Sequence, residues 1–162
     1  MGPPARPPEG DGETVGAGGL HDQYNLGRFV DAQEAGATYV RALEELRRGQ
    51  KTSHWMWFIF PQVAGLGQSP TSVRYAISGL EEARQYLRHP VLGPRLLECS
   101  GVVAATEHKT AHDIFGGIDA QKLRSSMTLF MRAAPNEHVF QQVLDRYFEG
   151  RPDTLTDGLI GR

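Results

Sequence analysis

Apolar positions along this chain recur at steps of three and four, the spacing of one helix face, and nowhere alternate over a sustained run. Between residues 28 and 48, Phe29, Ala32, Gly36, Val40, Leu43 and Leu46 fall on one face of a helix, and Gly49 offers a left-handed C-cap. Ser69 and Pro70 supply a hydroxyl N-cap and a proline at the first helical position. Val73, Ala76, Ile77, Leu80, Ala83 and Leu87 then keep helical spacing until His89 and Pro90 end the run. A third helix is expected over residues 91–105, with Leu92, Leu96, Cys99 and Val103 inward. Thr110 and Asp113 have the spacing of a capping box, which a short helix ending at Gly116 and Gly117 would satisfy. Asp119 is placed to cap the next helix, whose stripe is Leu123, Met127, Phe130, Met131 and Ala134. Pro135 and Asn136 close that element and cap another, carrying Val139, Phe140, Val143, Leu144 and Tyr147, which stops at Gly150 before Pro152.

One passage breaks the pattern. Trp55, Met56, Trp57, Phe58, Ile59 and Phe60 are six consecutive large apolar residues with no period of their own. Their aromatic and β-branched content favours an extended form, but a lone strand has no ladder partner for its backbone groups. The expectation is therefore an all-α, single multihelical domain in which this hexapeptide forms a buried central helix or turn.

Composition adds boundaries. The first twenty residues hold four of the ten prolines and six of the nineteen glycines, with few large aliphatics, so residues 1–21 are expected to be a disordered tail. The helical domain is assigned to residues 22–157 and a short C-terminal tail to 158–162. Of 162 residues, 40% are hydrophobic and 22% charged, and 17 Lys and Arg against 19 Asp and Glu give a formal charge of −2, which rules out a polycation. The arginines are scattered and form no basic stripe, so no nucleic-acid partner is expected. No stretch approaches the ~18 apolar residues of a membrane span, so no membrane association is expected either. A single cysteine, Cys99, excludes an internal disulfide; it lies among Leu96, Leu97, Val102 and Val103 and reads as a buried hydrophobe. The cytoplasm is the expected compartment.

Three constellations could carry chemistry. Within twelve positions, Lys51, Ser53, His54, Trp55, Trp57, Phe58, Phe60 and Gln62 combine indole faces that could stack on a planar ligand with polar groups to surround it. The same rings are also what a core is made of, with His54 hydrogen-bonded at its margin. Gly65, Leu66 and Gly67 form a turn leading into a helix N-terminus, which serves either as an anion cradle or as a tight loop. The third group is Asp113, Asp119, Lys122, Arg124, Ser125 and Ser126, a candidate anion site or simply a solvated helix face with capping acids. His108 and His112 stand four apart, but a helix boundary falls between them and no third ligand is suitably spaced. No metal and no cofactor are assigned.

The strings around Phe29 to Gln33, Ser53 to Gln62 (SHWMWFIFPQ), Gly65 to Gly67, Arg74 to Ile77, His89 to Gly93, Asp113 to Gly116 and Lys122 to Phe130 resemble a bacterial family of unknown function to which automated labelling attaches the word calpastatin. The resemblance spans residues 22–155 and implies a mainly helical fold. The label implies nothing functional, since calpain inhibitors are unfolded repeats that order on their target, whereas this chain carries regular apolar stripes. Phe60-Pro61, Ser72-Val73-Arg74, Asp113 to Gly116 and the helix from Leu123 to Phe130 also run in a similar order to motifs of the NADAR (NAD- and ADP-ribose-associated) family, which cleaves N-glycosidic bonds. Where that family carries its catalytic glutamate this chain has Arg74, which stays charged and cannot exchange a proton near neutral pH. An acid such as Asp113 or Glu34 would have to substitute.

These readings combine into an expected small-molecule site for a nucleotide-like or ribosyl ligand whose N-glycosidic bond is hydrolysed. Asp113 and His54 are the candidate catalytic residues, with Asp113 steadying an oxocarbenium-like transition state and His54 assisting proton transfer. Lys51, Ser53, Trp55, Trp57, Gln62, Gly67, Lys122, Arg124 and Ser125 are the candidate ligand-binding residues. The alternative is a noncatalytic protein-interaction domain, its protein partner unknown, with the aromatic motif as core.

Overall fold

The described residues, 22–161 of a computed structural model, are all-α, and their regular structure is nine helices. The tail expected over residues 1–21 lies outside the described residues. The helices are α1 (Gly27–Glu34), α2 (Thr38–Arg48), α3 (Met56–Ile59), α4 (Pro70–Arg74), α5 (Leu80–Arg88), α6 (Leu92–Ala105), α7 (Ala111–Ala133), α8 (His138–Phe148) and α9 (Thr154–Leu159). The long helix α7 lies against α8, α5 and α9, while α6 packs on α8, α5 and α2, and α1 packs on α2 and α3. Among the described residues no helix is long and apolar enough to cross a membrane.

The core is a chain of rings. Phe29 meets Tyr86 edge-on at 5.1 Å between centroids, Tyr86 meets Phe130 at 5.4 Å, and Phe130 meets Phe140 at 5.8 Å, so four helices are tied by edge-on and tilted aromatic contacts. Trp55, Phe60 and Phe115 form a second ring cluster, which joins the aromatic motif to α7.

Several elements differ from the spacing's prediction. The stripe over residues 28–48 is two helices, because Gly36 (φ 60°) and Ala37 (φ 57°) turn left-handed in a short 3-10 segment between them. This turns Val40 outward, where it is 62% exposed. The stripe over residues 73–87 is likewise broken. Backbone bonds between Ala64 N–H and the Ile77 carbonyl and between Ile77 N–H and the Gln62 carbonyl, both 2.8 Å, pull Ile77 into the one β-bridge formed by the described residues, with Val63. Glu82 then accepts from the Ser78 N–H and hydroxyl at 2.9 Å and restarts the helix. Val73, expected to point inward, is 62% exposed. Asp119 is no cap, because its helical run begins just after Gly116, whose φ of 79° and ψ of 166° interrupt α7. Asn136 does not cap α8; Glu137 holds that position without a side-chain bond.

Other signals hold. Ser69 accepts from Ser72 N–H, Thr110 and Asp113 form the full capping box, and the hexapeptide contains one helical turn, α3, with Trp55, Met56, Ile59 and Phe60 buried. At Gly93 a Cβ would stand 2.1 Å from the Leu87 carbonyl oxygen, so only glycine permits α6 to cross the end of α5 this closely. His89, at that junction, accepts through Nδ1 from the Val91 and Leu92 N–H groups at 3.1 and 3.3 Å, an imidazole acting as helix cap.

The hexapeptide is seated by Glu45, which is 2% exposed. Its Oε1 accepts from Thr52 N–H (2.8 Å), Ser53 N–H (3.1 Å) and the Trp55 indole N–H (2.8 Å), and its Oε2 accepts from the Ser53 hydroxyl (2.6 Å). Burial pushes this carboxyl up, but the Ser53 hydroxyl, the Thr52 amide and the indole outweigh it and hold it at about 2.

Two predictions follow the sign of these shifts. Glu45 titrates lower folded than unfolded, so its stabilisation is whole above the ordinary carboxyl value of 4.5 and is lost as pH falls toward 2. The linked contribution is roughly 3 kcal/mol. Glu45→Gln should lower unfolding free energy by about that amount at neutral pH and flatten the acid limb of a urea-denaturation series. Burial lowers His89 below its ordinary 6.5, with Asp22 opposing, so its contribution is whole above 6.5 and shrinks as the pH drops below it. Melting temperature should fall between pH 7 and pH 5.5, and His89→Asn, whose amide oxygen can cap without titrating, should remove that part of the slope.

Candidate functional site

A cleft of about 570 Å³ opens between the end of the aromatic motif, the glycine turn, the middle of α7 and the start of α9. Helix α7 supplies one wall. Gly117, Ile118, Gln121, Lys122 and Ser125 line it, a set whose steps of one, three, one and three define a single helical face. Trp57 and Gln62 face them, with Leu66 and Gly67 from the glycine turn and Ser72 from α4, and Asp153 and Leu155 close the third side. The turn is tight, since a Cβ on Gly67 would sit 2.8 Å from the Ser72 hydroxyl oxygen.

The charged group at the floor is Asp153, 5% exposed. Its Oδ2 accepts from the Ser125 hydroxyl (3.1 Å), Thr156 N–H (3.0 Å) and the Thr156 hydroxyl (2.6 Å), while Oδ1 accepts from the Gln121 amide at 3.1 Å. Asp153 is thus both the N-cap of α9 and the carboxylate that the cleft reaches. Its backbone N–H donates to Thr128 at 2.8 Å. Arg124 fixes the residues just before it, donating to the Arg151 and Pro152 carbonyls at 2.9 and 3.2 Å.

Trp57 forms the aromatic wall. The Lys122 ammonium lies 4.2 Å from an indole ring centroid, a cation–π contact, and 3.3 Å from Asp119. The other oxygen of Asp119 meets Lys51 at 2.9 Å. Lys51 also lies 4.9 Å from a Trp55 ring centroid and donates to the Ser53 carbonyl.

Of the residues singled out in the sequence, the structure brings Trp57, Gln62, Gly67, Lys122 and Ser125 together around this cleft. Trp55 is fully buried and Ser53 is bonded to Glu45, so both belong to the seat of the motif. Lys51 is two ion pairs removed from the cleft, through Asp119 to Lys122, and Arg124 supports its floor from behind. His54 is exposed and does not line it. Asp113 is exposed on the N-terminal cap of α7, where Thr110 N–H holds its carboxyl below the ordinary range, and it is outside the lining as well. The oxocarbenium role assigned to Asp113 thus has no geometric support, because the capping box engages this carboxylate at the surface. Burial pushes the Cys99 thiol up to about 12 and leaves no reactive thiolate there. Among the described residues, no three His, Cys, Asp or Glu side chains group as metal ligands.

Asp153 and Gln121 were missed. The signal for Asp153 was present: Pro152, Asp153, Thr154, Leu155 and Thr156 form an N-cap sequence, but it lies after the last long apolar stripe, where a helix of six residues has little periodicity to show.

The family described as "Protein of unknown function (DUF1810)" matches residues 23–160, and the chain belongs to it. Among solved structures, the conserved hypothetical protein Rv1873 from Mycobacterium tuberculosis is similar at 49% identity and a TM-score of 0.84, the match covering 87% of this chain and 99% of that one. No curated protein matches.

Asp153→Ala should remove the α9 cap and strand the Ser125 and Thr156 hydroxyls, lowering unfolding free energy by about 2–4 kcal/mol. Asp153→Asn, which keeps an acceptor oxygen, should cost less than half of that in the same denaturant titration.

Proposed function

We propose that the cleft binds a nucleoside-like or ribosyl compound and hydrolyses its N-glycosidic bond. The observation that carries this reading is a buried, hydrogen-bonded carboxylate, Asp153, reaching the same cleft as the partly exposed indole of Trp57. A planar base stacks on the indole, and the sugar hydroxyls meet Asp153, Gln121 and Ser125, all groups able to exchange hydrogen bonds with a diol. As the carbon–nitrogen bond breaks, positive charge develops on the anomeric carbon and ring oxygen, and a fixed carboxylate stabilises it without reorganising. Water completes the reaction. Its oxygen bonds the anomeric carbon, and its protons divide between the new hydroxyl and the departing nitrogen.

Three of the four hydrogen bonds to Asp153 fall on Oδ2, which leaves Oδ1, held by the Gln121 amide alone, as the oxygen facing substrate. The similarity of motif order to the NADAR family supports the same chemistry. Arg74, at the position of that family's glutamate, is exposed beside Tyr75 and outside the lining of the cleft, so in this reading Asp153 supplies the stabilising carboxylate in place of Asp113 or Glu34.

A second reading rests on the rim, where Ile118 is 78% and Leu155 is 68% exposed. Two large aliphatics at one opening are what a partner's apolar side chain would cover, and the cleft would then be part of a noncatalytic docking surface.

The test is a thermal-shift and product-release experiment with adenosine, uridine and ADP-ribose. Hydrolysis is supported by released base that disappears in Asp153→Asn, with Trp57→Ala weakening affinity for the ligand. Binding without release retains the pocket and removes the enzyme. No shift with any of the three, in a protein confirmed as folded by circular dichroism, sinks the ligand reading and leaves the docking surface.

A further inference from the structure

The charges around the cleft are equal in number, Lys51 and Lys122 against Asp119 and Asp153, but unevenly placed. Lys51 and Lys122 place their ammonium groups 2.9 and 3.3 Å from opposite oxygens of one carboxylate, that of Asp119. The Lys51 side chain is 7% exposed and that of Lys122 is 23%. Two cations withdrawn from water on one anion leave one positive charge without a partner, an arrangement that favours any further anion able to reach it. The carboxylate that lines the cleft is not in that contact, since Asp153 is held by Gln121, Ser125 and Thr156, all uncharged. Of the two lysines, Lys51 is committed below the aromatic motif to the Ser53 carbonyl, whereas Lys122 lines the cleft beside Trp57.

We propose that the ligand carries an anionic group, a phosphate or a carboxylate, that pairs with Lys122, and that Asp119 is a positioning residue for this contact. The inference rests on the cleft being a small-molecule site. Asp119, anchored from behind by Lys51, holds the ammonium against the indole face, where the excess charge of the cluster is presented to the ligand. The cleft is therefore electrically divided, with a carboxylate where the sugar sits and an ammonium where the acidic substituent sits.

Three compounds with one body separate the sources of the anion: adenosine, adenosine 5′-monophosphate and adenosine-5′-carboxylate, titrated by calorimetry at low and high salt. At least one of the two anions should bind tenfold or more tightly than adenosine, and the advantage should shrink at high salt. Whichever binds more tightly identifies the group. Lys122→Met should abolish the advantage, so that this variant binds the anion no more tightly than it binds adenosine. Asp119→Asn separates positioning from simple charge. Removing a negative charge should strengthen anion binding if only net charge matters, whereas loss of the anchor should weaken it, and the inference requires weakening.

The failures are distinct. If all three compounds bind equally and without salt dependence, the inference is overturned and the cleft reading stands. If none binds, both fall. If the advantage survives in Lys122→Met, the anion is held elsewhere and the inference is overturned. Should Asp119→Asn not fold, the Lys122→Met comparison still decides the anion contact, and Asp119→Glu, which keeps the charge and moves the carboxylate, takes the place of Asp119→Asn for the anchor. Loss of the anion advantage in Asp119→Glu supports positioning, and its retention overturns it.

Discussion

The arrangement of this protein depends on one buried carboxylate, that of Glu45. The segment after α2 has to leave the helix, descend into the core with Trp55, and return to the surface with Trp57 within a few residues. No strand or long helix is available to satisfy its backbone there. Glu45 does so from outside, taking two amides, a hydroxyl and an indole N–H on its two oxygens. A charged acceptor is suited to this because hydrogen bonds to an ionised group are stronger than neutral ones and four of them offset its removal from water. Without that anchor, the register that sends Trp55 inward and Trp57 toward the cleft has no local cause.

A second polar network works at the opposite wall. Helix α9 is too short to hold itself, and its docking is set by the Asp153 cap together with Arg124 and Thr128 reaching from α7 to the segment before it. In both networks a carboxylate that the backbone needs is adjacent to the group that would meet a ligand. Glu45 holds the indole N–H of Trp55, two positions before Trp57, and Asp153, though buried, itself lines the cleft. The geometry of the cleft is thereby inherited from the fold, with side chains held before any ligand arrives.

The sequence made the helical character plain because most of the stripes here are long and amphipathic. It misplaced breaks for a physical reason. Gly36 and Ala37 fit the apolar spacing of a continuous helix, and nothing in a one-dimensional pattern says that both adopt left-handed φ. Ile77 likewise fits a helix face while its backbone is engaged with Gln62 and Ala64, a pairing decided across a loop. For the cleft, the residues legible in advance were those grouped by sequence, Trp57 and Gln62 on one side and Lys122 and Ser125 on the other. Their convergence was not, because it depends on the kink at Gly116 and on the docking of α9. Asp113 and His54 drew attention as a carboxylate and an imidazole near informative motifs. A titratable side chain at a helix cap and one at an exposed turn look identical in sequence to groups in a cleft.

The two indoles of the aromatic motif show why a conspicuous string resists a single interpretation. Trp55 has no exposed surface, and its N–H is consumed by Glu45, so its chemistry is spent on folding. Trp57, two positions on, stands on the far side of the turn, with one face against Lys122, and lines the cleft. The separation follows from the backbone at Trp55, which is outside helical geometry (φ −141°, ψ 5°) and starts α3 immediately after it, so residues 55 and 57 point in unrelated directions. Core and site are therefore not rival explanations of the same residues. The motif holds both, and the lysine pair on Asp119 joins them, since Lys51 lies against Trp55 and Lys122 against Trp57. A change in the buried half would be felt in the cleft through that shared carboxylate, which makes the ion triad the route by which packing sets the charge on the cleft wall.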